Sequence, residues 1–198
     1  MFSFTLFGVR CRFSLLFPAL LTALLLWKPD GLAVACLLAS LIHEGGHLLA
    51  MMLVGVPPED CTLSAFGARI RVKPMDSGYI QNILISLAGP LANVVSAGVL
   101  LKCGCQLPAA AHLTLAGLNL LPSLALDGGQ ILRCGLCLLG MEFIANWVVH
   151  WFSAGVLLVV ATGGFYLLLN GKGNFSLLVV CGYLAALTFF SEKIEKTS

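Results

Sequence analysis

Residues 41–49 read LIHEGGHLL, two imidazoles and a carboxylate inside an otherwise apolar run. His43 and His47 are four residues apart, so on a helix both imidazoles rise from one face and can grip a single metal ion, with Glu44 beside them as a base. Two imidazoles do not complete a catalytic zinc site, which usually takes three protein ligands and leaves the fourth position to water. The third donor must come from elsewhere, and of the nine acidic residues only Glu44, Asp127 and Glu142 fall in or at the edge of apolar segments. Asp127 is the stronger candidate. Gly128 and Gly129 follow it and let the backbone leave a helix and approach other elements closely. Asn119 and Pro122, upstream, point to an unwound or kinked segment whose freed backbone groups need a polar cavity.

The elements that must position these residues are membrane helices. Apolar residue types make up 59% of the 198-residue chain, charged residues only 10%, and the mean hydropathy is +0.99. About 20 apolar residues suffice to cross the hydrocarbon core, and such runs recur along the chain. The first is expected over 13–27, a retained span rather than a signal peptide because no small-residue cleavage site precedes Lys28-Pro29-Asp30. The second runs from 32 to about 56 and ends at Pro57-Pro58, which cannot continue a helix. The third covers 80–101, interrupted by Gly89-Pro90, and the fourth about 108–126, ending at Asp127. A shorter helical piece over 131–140 lies along the surface or re-enters, and further spans cover 147–169 and 175–190.

Between the second and third spans, Arg69, Ile70, Arg71, Val72 and Lys73 alternate with the period of a strand, and Gly67 can turn it back on residues 61–66. The expected fold is an all-α polytopic membrane protein of about six transmembrane helices with a small β-hairpin at the membrane surface, one integral membrane domain over residues 1–198. An even number of spans puts both termini on one side, together with Arg10, Arg12, Arg69, Arg71, Lys73, Arg133, Lys193 and Lys196. Only Lys28, Lys102 and Lys172 fall on the other, so both termini are expected in the cytoplasm. The basic residues sit in loops rather than in one patch, and no nucleic-acid partner is expected.

An HExxH spacing arises by chance in soluble helices, but ionisable groups inside a membrane span are costly and generally face a cavity, a partner or an ion. His43, Glu44 and His47 have no packing role there. Asp-Gly is also a strong turn dipeptide, and Gly89-Pro90 with Asn93 is also what a kink against a neighbouring helix requires. Cys103 and Cys105 are too close in sequence for an easy mutual disulfide. Cys134 and Cys137 are expected to pack as small apolar residues, and His112 and His150 to be interfacial or satisfied residues.

Three stretches together resemble the site-2 proteases, a family of intramembrane zinc metalloproteases, and within it the compact bacterial branch that includes the stage IV sporulation protease. They are His43-Glu44-Gly45-Gly46-His47, then Gly89-Pro90-Leu91-Ala92-Asn93, then Asn119-Leu120-Leu121-Pro122 with Leu126-Asp127-Gly128-Gly129. The resemblance implies a three-helix catalytic core over about 31–140 and one zinc ion held by His43, His47 and Asp127. It also implies Glu44 as general base and Asn119 as the residue that holds the substrate backbone or the oxyanion. Many relatives place a proline directly before Leu-Asp-Gly, where this chain has Ala125, which bears on the shape of that loop. The sequence shows neither an inserted PDZ-like domain nor a cystathionine-synthase-like one. The resemblance therefore implies a transmembrane protein substrate selected by the membrane core or by a regulatory or inhibitory membrane partner, with lipid around the chain. A sporulation sigma-factor precursor or an anti-sigma factor is the implied kind of substrate, and a bacterial cell membrane the implied location. A membrane metal transporter or a metal-binding scaffold would use the same His and Asp residues but gives Glu44 no task.

Overall fold

The computed structural model describes residues 2–6, 9–13, 31–56, 60–64, 67–71, 78–124, 126–169 and 182. Ala125 and nearly all of the spans expected over 13–27 and 175–190 lie outside the described residues. The chain divides into two compact units, Met1–Leu118 and Asn119–Ser198.

In the first unit, strands β1 (Phe2–Leu6), β2 (Val9–Phe13), β3 (Asp60–Ser64) and β4 (Gly67–Arg71) form one sheet in the order β1-β2-β3-β4. β1 and β2 pair antiparallel and β2 pairs parallel with β3. β3 and β4 pair antiparallel with Asp60 opposite Arg71 and Ser64 opposite Gly67, in the stretch where alternation predicts a strand. The sequence reading assigned no strand to residues 2–13. Their alternation of Phe2, Phe4 and Leu6, then of Arg10 and Arg12 around Cys11, carries the same period-2 signal.

Helix α1 covers Leu32–Leu53. It starts after Gly31, which takes φ 77°, and stops at Gly55 with φ 72°, a left-handed geometry that costs glycine no steric penalty. Its buried stripe is Ala35, Ala39, His43, His47 and Met51, one residue per turn. Large apolar residues such as Leu38, Leu41 and Leu49 are exposed on the remaining surface. A helix apolar all round is one that faces lipid as well as protein. The stripe lies against α2, Tyr79–Lys102, whose buried residues include Ile85, Ser86, Gly89, Pro90, Asn93 and Ala97. The two helices approach so closely that a Cβ on Gly46 would stand 2.7 Å from the Ala88 carbonyl oxygen and 2.9 Å from the Ala92 Cβ. Small residues at a crossing are what lets membrane helices pack without a hydrophobic drive between them. At one end, Met51, Val56 and Ile85 form a core, and the Gln81 amide donates to the Val54 carbonyl at 3.3 Å.

Helix α3, Gln106–Asn119, is shorter than the span expected over 108–126. Pro122 drives the residue before it away from helical geometry. At about 1.5 Å per residue the helix falls short of a hydrocarbon core of about 30 Å, and residues 120–124 continue as irregular backbone. In the second unit, α4 covers Asp127–Leu138 and packs on α5, Glu142–Leu169. Asp127 therefore opens a helix rather than closing the fourth span, and α5 starts five residues earlier than expected. Among the described residues, α1, α2 and Glu142–Tyr166 of α5 are long and apolar enough to cross a membrane.

Candidate metal centre

The α1 stripe brings His43 and His47 into one buried place, 5% and 8% exposed. Their rings meet edge to face with centroids 4.7 Å apart, and their Nε2 atoms lie 3.1 Å from each other. The other nitrogen of each ring is tied to α2. His47 Nδ1 is 2.8 Å from the Ile85 carbonyl oxygen, an acceptor only, so Nδ1 carries the proton and donates. That leaves the His47 Nε2 lone pair pointing at the space shared with His43, the tautomer a metal ligand needs. Fixing the far nitrogen of a ligating histidine by a backbone carbonyl is how proteins orient such rings. Two buried imidazole nitrogens converging on one point fit a soft-to-borderline divalent ion such as zinc.

His43 Nδ1 lies 3.3 Å from Asn93 Nδ2, and Asn93 Oδ1 lies 2.9 Å from His112 Nδ1 on α3. Asn93 and His112 are 0% and 2% exposed. From the sequence Asn93 is expected in a kink or in a direct role, and His112 as an interfacial or satisfied residue. Asn93 is a buried partner of the candidate ligand His43, and His112 is a satisfied, buried partner of Asn93; the signal for Asn93 was a polar residue one turn beyond Gly89 on the same stripe as Ile85 and Gly89.

Gly89 leaves room for the pair. A Cβ there would touch His47 Nε2 and stand 2.6 Å from His47 Cε1 and 2.9 Å from His43 Cε1. Glu44, half-buried, follows His43 directly on α1.

In the second unit Asp127 occupies the first turn of α4, where the helix dipole favours a carboxylate. Leu126 before it is extended, at φ −118° and ψ 161°. The loop leading there is pinned. Leu124 N–H donates to Ser153 Oγ at 2.8 Å, and Ser153 Oγ–H donates to the Val149 carbonyl at 2.8 Å, both on α5. The loop and α4 lie so close that a Cβ on Gly128 would collide with the Leu120 carbonyl, and one on Gly129 with that of Ser123. Both positions admit glycine alone, which gives the Asp-Gly-Gly run a packing reason. Asn119, half-buried, is the last residue of α3. Cys103 and Cys105 are free thiols, and Cys134 is buried in α4 as a small apolar residue would be.

No protein-family model matches the chain. A Synechocystis protein provisionally named a zinc metalloprotease is 32% identical over 117 residues, 52% of this chain and 31% of that protein. The chain thus spans about a third of the length of that relative. Among solved structures, the site-2 protease of Methanocaldococcus jannaschii superposes with a TM-score of 0.70 at 20% identity, covering 97% of this chain and 94% of that one. The chain has the site-2 protease fold.

Proposed function

We propose that the chain is an intramembrane zinc metalloendopeptidase that cuts membrane-tethered proteins within or next to a transmembrane segment. The observation that carries the reading is the convergence of the His43 and His47 Nε2 atoms, with His47 oriented by the Ile85 carbonyl, inside an apolar helix long enough to cross a membrane. Asp127 is the proposed third ligand. Two buried imidazoles and a half-buried carboxylate are a donor set that can hold a metal ion, and Asp127 stands in the same Leu-Asp-Gly context as in the family resembled. When bound, zinc supplies the Lewis acidity that lowers the pKa of a water and polarises a carbonyl.

The chain's own residues do the rest. Glu44 takes the proton of the attacking water and passes it to the leaving amine. Asn119 holds the substrate backbone or the developing oxyanion by its side-chain amide. A peptide bond in a transmembrane helix is locked in the helical ladder, so the substrate must unwind. Strand β4 lies at an edge of its sheet, and an extended substrate segment paired to that edge regains main-chain hydrogen bonds.

About six spans with cytoplasmic termini in a bacterial cell membrane are part of the same proposal. The pairing of β2 with β3 supports it, because it puts residues 9–13 and 60–64 on one side of the bilayer. Surrounding lipid fits the exposed Leu, Val and Phe residues of α1, α2 and α5. A sporulation sigma-factor precursor or an anti-sigma factor is the proposed substrate, with a membrane partner restraining cleavage. The test is a comparison of membrane proteomes from cells expressing the wild-type chain or Glu44→Gln. New fragments that end inside membrane segments and vanish with Glu44→Gln support the protease. Identical proteomes contradict it.

A further inference from the structure

His112 is a buried titratable side chain to which the proposed mechanism gives no part, yet it ends a line of polar contacts that reaches the metal centre. The line runs His112 Nδ1 to Asn93 Oδ1 at 2.9 Å, Asn93 Nδ2 to His43 Nδ1 at 3.3 Å, His43 Nε2 to His47 Nε2 at 3.1 Å, and His47 Nδ1 to the Ile85 carbonyl at 2.8 Å. Its last bond has a fixed direction, because a carbonyl only accepts. The others can run two ways.

As the carboxamide stands, His112 Nδ1–H donates to Asn93 and the Asn93 NH2 donates to His43 Nδ1. A neutral His43 then carries its proton on Nε2 and donates it to His47 Nε2. Every group is satisfied, but the His43 lone pair faces Asn93 and is closed to a metal. In the reverse direction His43 Nδ1–H donates to the Asn93 oxygen, and the Asn93 NH2 donates to His112 Nδ1, which leaves the His112 proton on Nε2. Only this direction opens both Nε2 lone pairs. The two ends of a carboxamide are nearly the same size, so a half-turn about its last bond exchanges them without displacing neighbours. Each imidazole keeps one N–H throughout, moved from one of its nitrogens to the other, so no net proton is taken up.

We infer that His112 is a positioning residue for the metal centre: through the Asn93 carboxamide it supports, when zinc binds, the His43 tautomer whose Nε2 is open to the ion. This rests on the zinc reading above. His112 acts as the acceptor that keeps the Asn93 NH2 from turning toward His43. A buried amide left without an acceptor is costly, so loss of the acceptor returns the NH2 to His43 Nδ1 and closes the site.

The experiment uses the full chain in detergent micelles. Zinc affinity is measured by competition with a chelator for the wild type, His112→Phe and His112→Gln, and the imidazole ¹⁵N spectrum is recorded with and without zinc. His112→Phe keeps the bulk and removes the acceptor, and its affinity falls about tenfold to a hundredfold, the usual effect of disabling the hydrogen-bonded support of a metal ligand. His112→Gln offers a carbonyl oxygen in its place and stays within a few fold of the wild type. In the wild type, the resonance that His112→Phe removes shifts from an Nδ1–H to an Nε2–H pattern when zinc is added. Wild-type affinity in His112→Phe, equal losses in both variants, or an Nδ1–H His112 in the presence of zinc overturns this inference alone. A wild-type chain that takes up no zinc overturns the zinc reading and this one with it.

Discussion

Gly89→Ala puts one methyl group against both imidazoles, and the structure sets the size of the effect. The new Cβ would stand 2.6 Å from His47 Cε1, whereas carbon atoms in contact settle at about 3.5 Å or more. The ring must therefore retreat by roughly 0.9 Å, the difference between those separations. The His47 Nδ1–H bond to Ile85, 2.8 Å long, cannot follow, because Ile85 and position 89 share one rigid helix. A displacement of about 1 Å in a reacting or ligating group typically costs on the order of a hundredfold in function. Zinc affinity is expected to fall at least about tenfold, measured by chelator competition on the solubilised protein. Fold loss is not the cause expected, because alanine is favoured over glycine in a helix by about 1 kcal/mol. Gly98→Ala is the control: the same substitution on the same helix, where a Cβ would meet nothing within 4 Å. It should leave zinc binding unchanged. Equal zinc affinity in the Gly89 and Gly98 variants would refute the placement of Gly89 beneath the rings.

Gly46→Ala is expected to destabilise the α1–α2 crossing by about 1–3 kcal/mol, the usual overpacking cost, because its Cβ would press on the Ala88 carbonyl. Gly45→Ala, one residue away with nothing within 4 Å, is expected to be neutral or slightly stabilising, and thermal unfolding in detergent separates the two. Ser153→Ala removes the acceptor of Leu124 N–H and is expected to cost about 1–3 kcal/mol. Loosening the loop before Asp127 should also slow substrate cleavage, read against fragment release by the wild type.

Hydropathy alone places α1 and α2 to within a few residues, because a span is a long signal and Gly31, Pro57 and Gly78 mark its ends. The histidine pair is legible for the same reason: i, i+4 spacing needs no knowledge of the fold. The fourth span misleads because Leu118, Leu120, Leu121 and Leu124 are as apolar as a helix, while Pro122 and the carbonyls that crowd Gly128 and Gly129 decide the backbone. Partnerships between helices leave no periodic trace. His112 is nineteen residues from Asn93, and Asn93 is fifty from His43, so a sequence that is apolar on every face does not show which polar side chains meet. Ser153 escapes notice likewise, as one hydroxyl in a long apolar run whose task lies in a loop 29 residues away.

The proposed function requires one metal ion held by His43, His47 and Asp127, with Glu44 as a base and not a ligand. Elemental analysis of the purified chain and of its Asp127→Ala and Glu44→Gln variants tests this most directly. About one zinc per chain is predicted for the wild type and for Glu44→Gln, as a catalytic ligand set of three with an open fourth position requires, and its loss for Asp127→Ala. Zinc indifferent to Asp127, or no zinc in the wild type, would contradict the account.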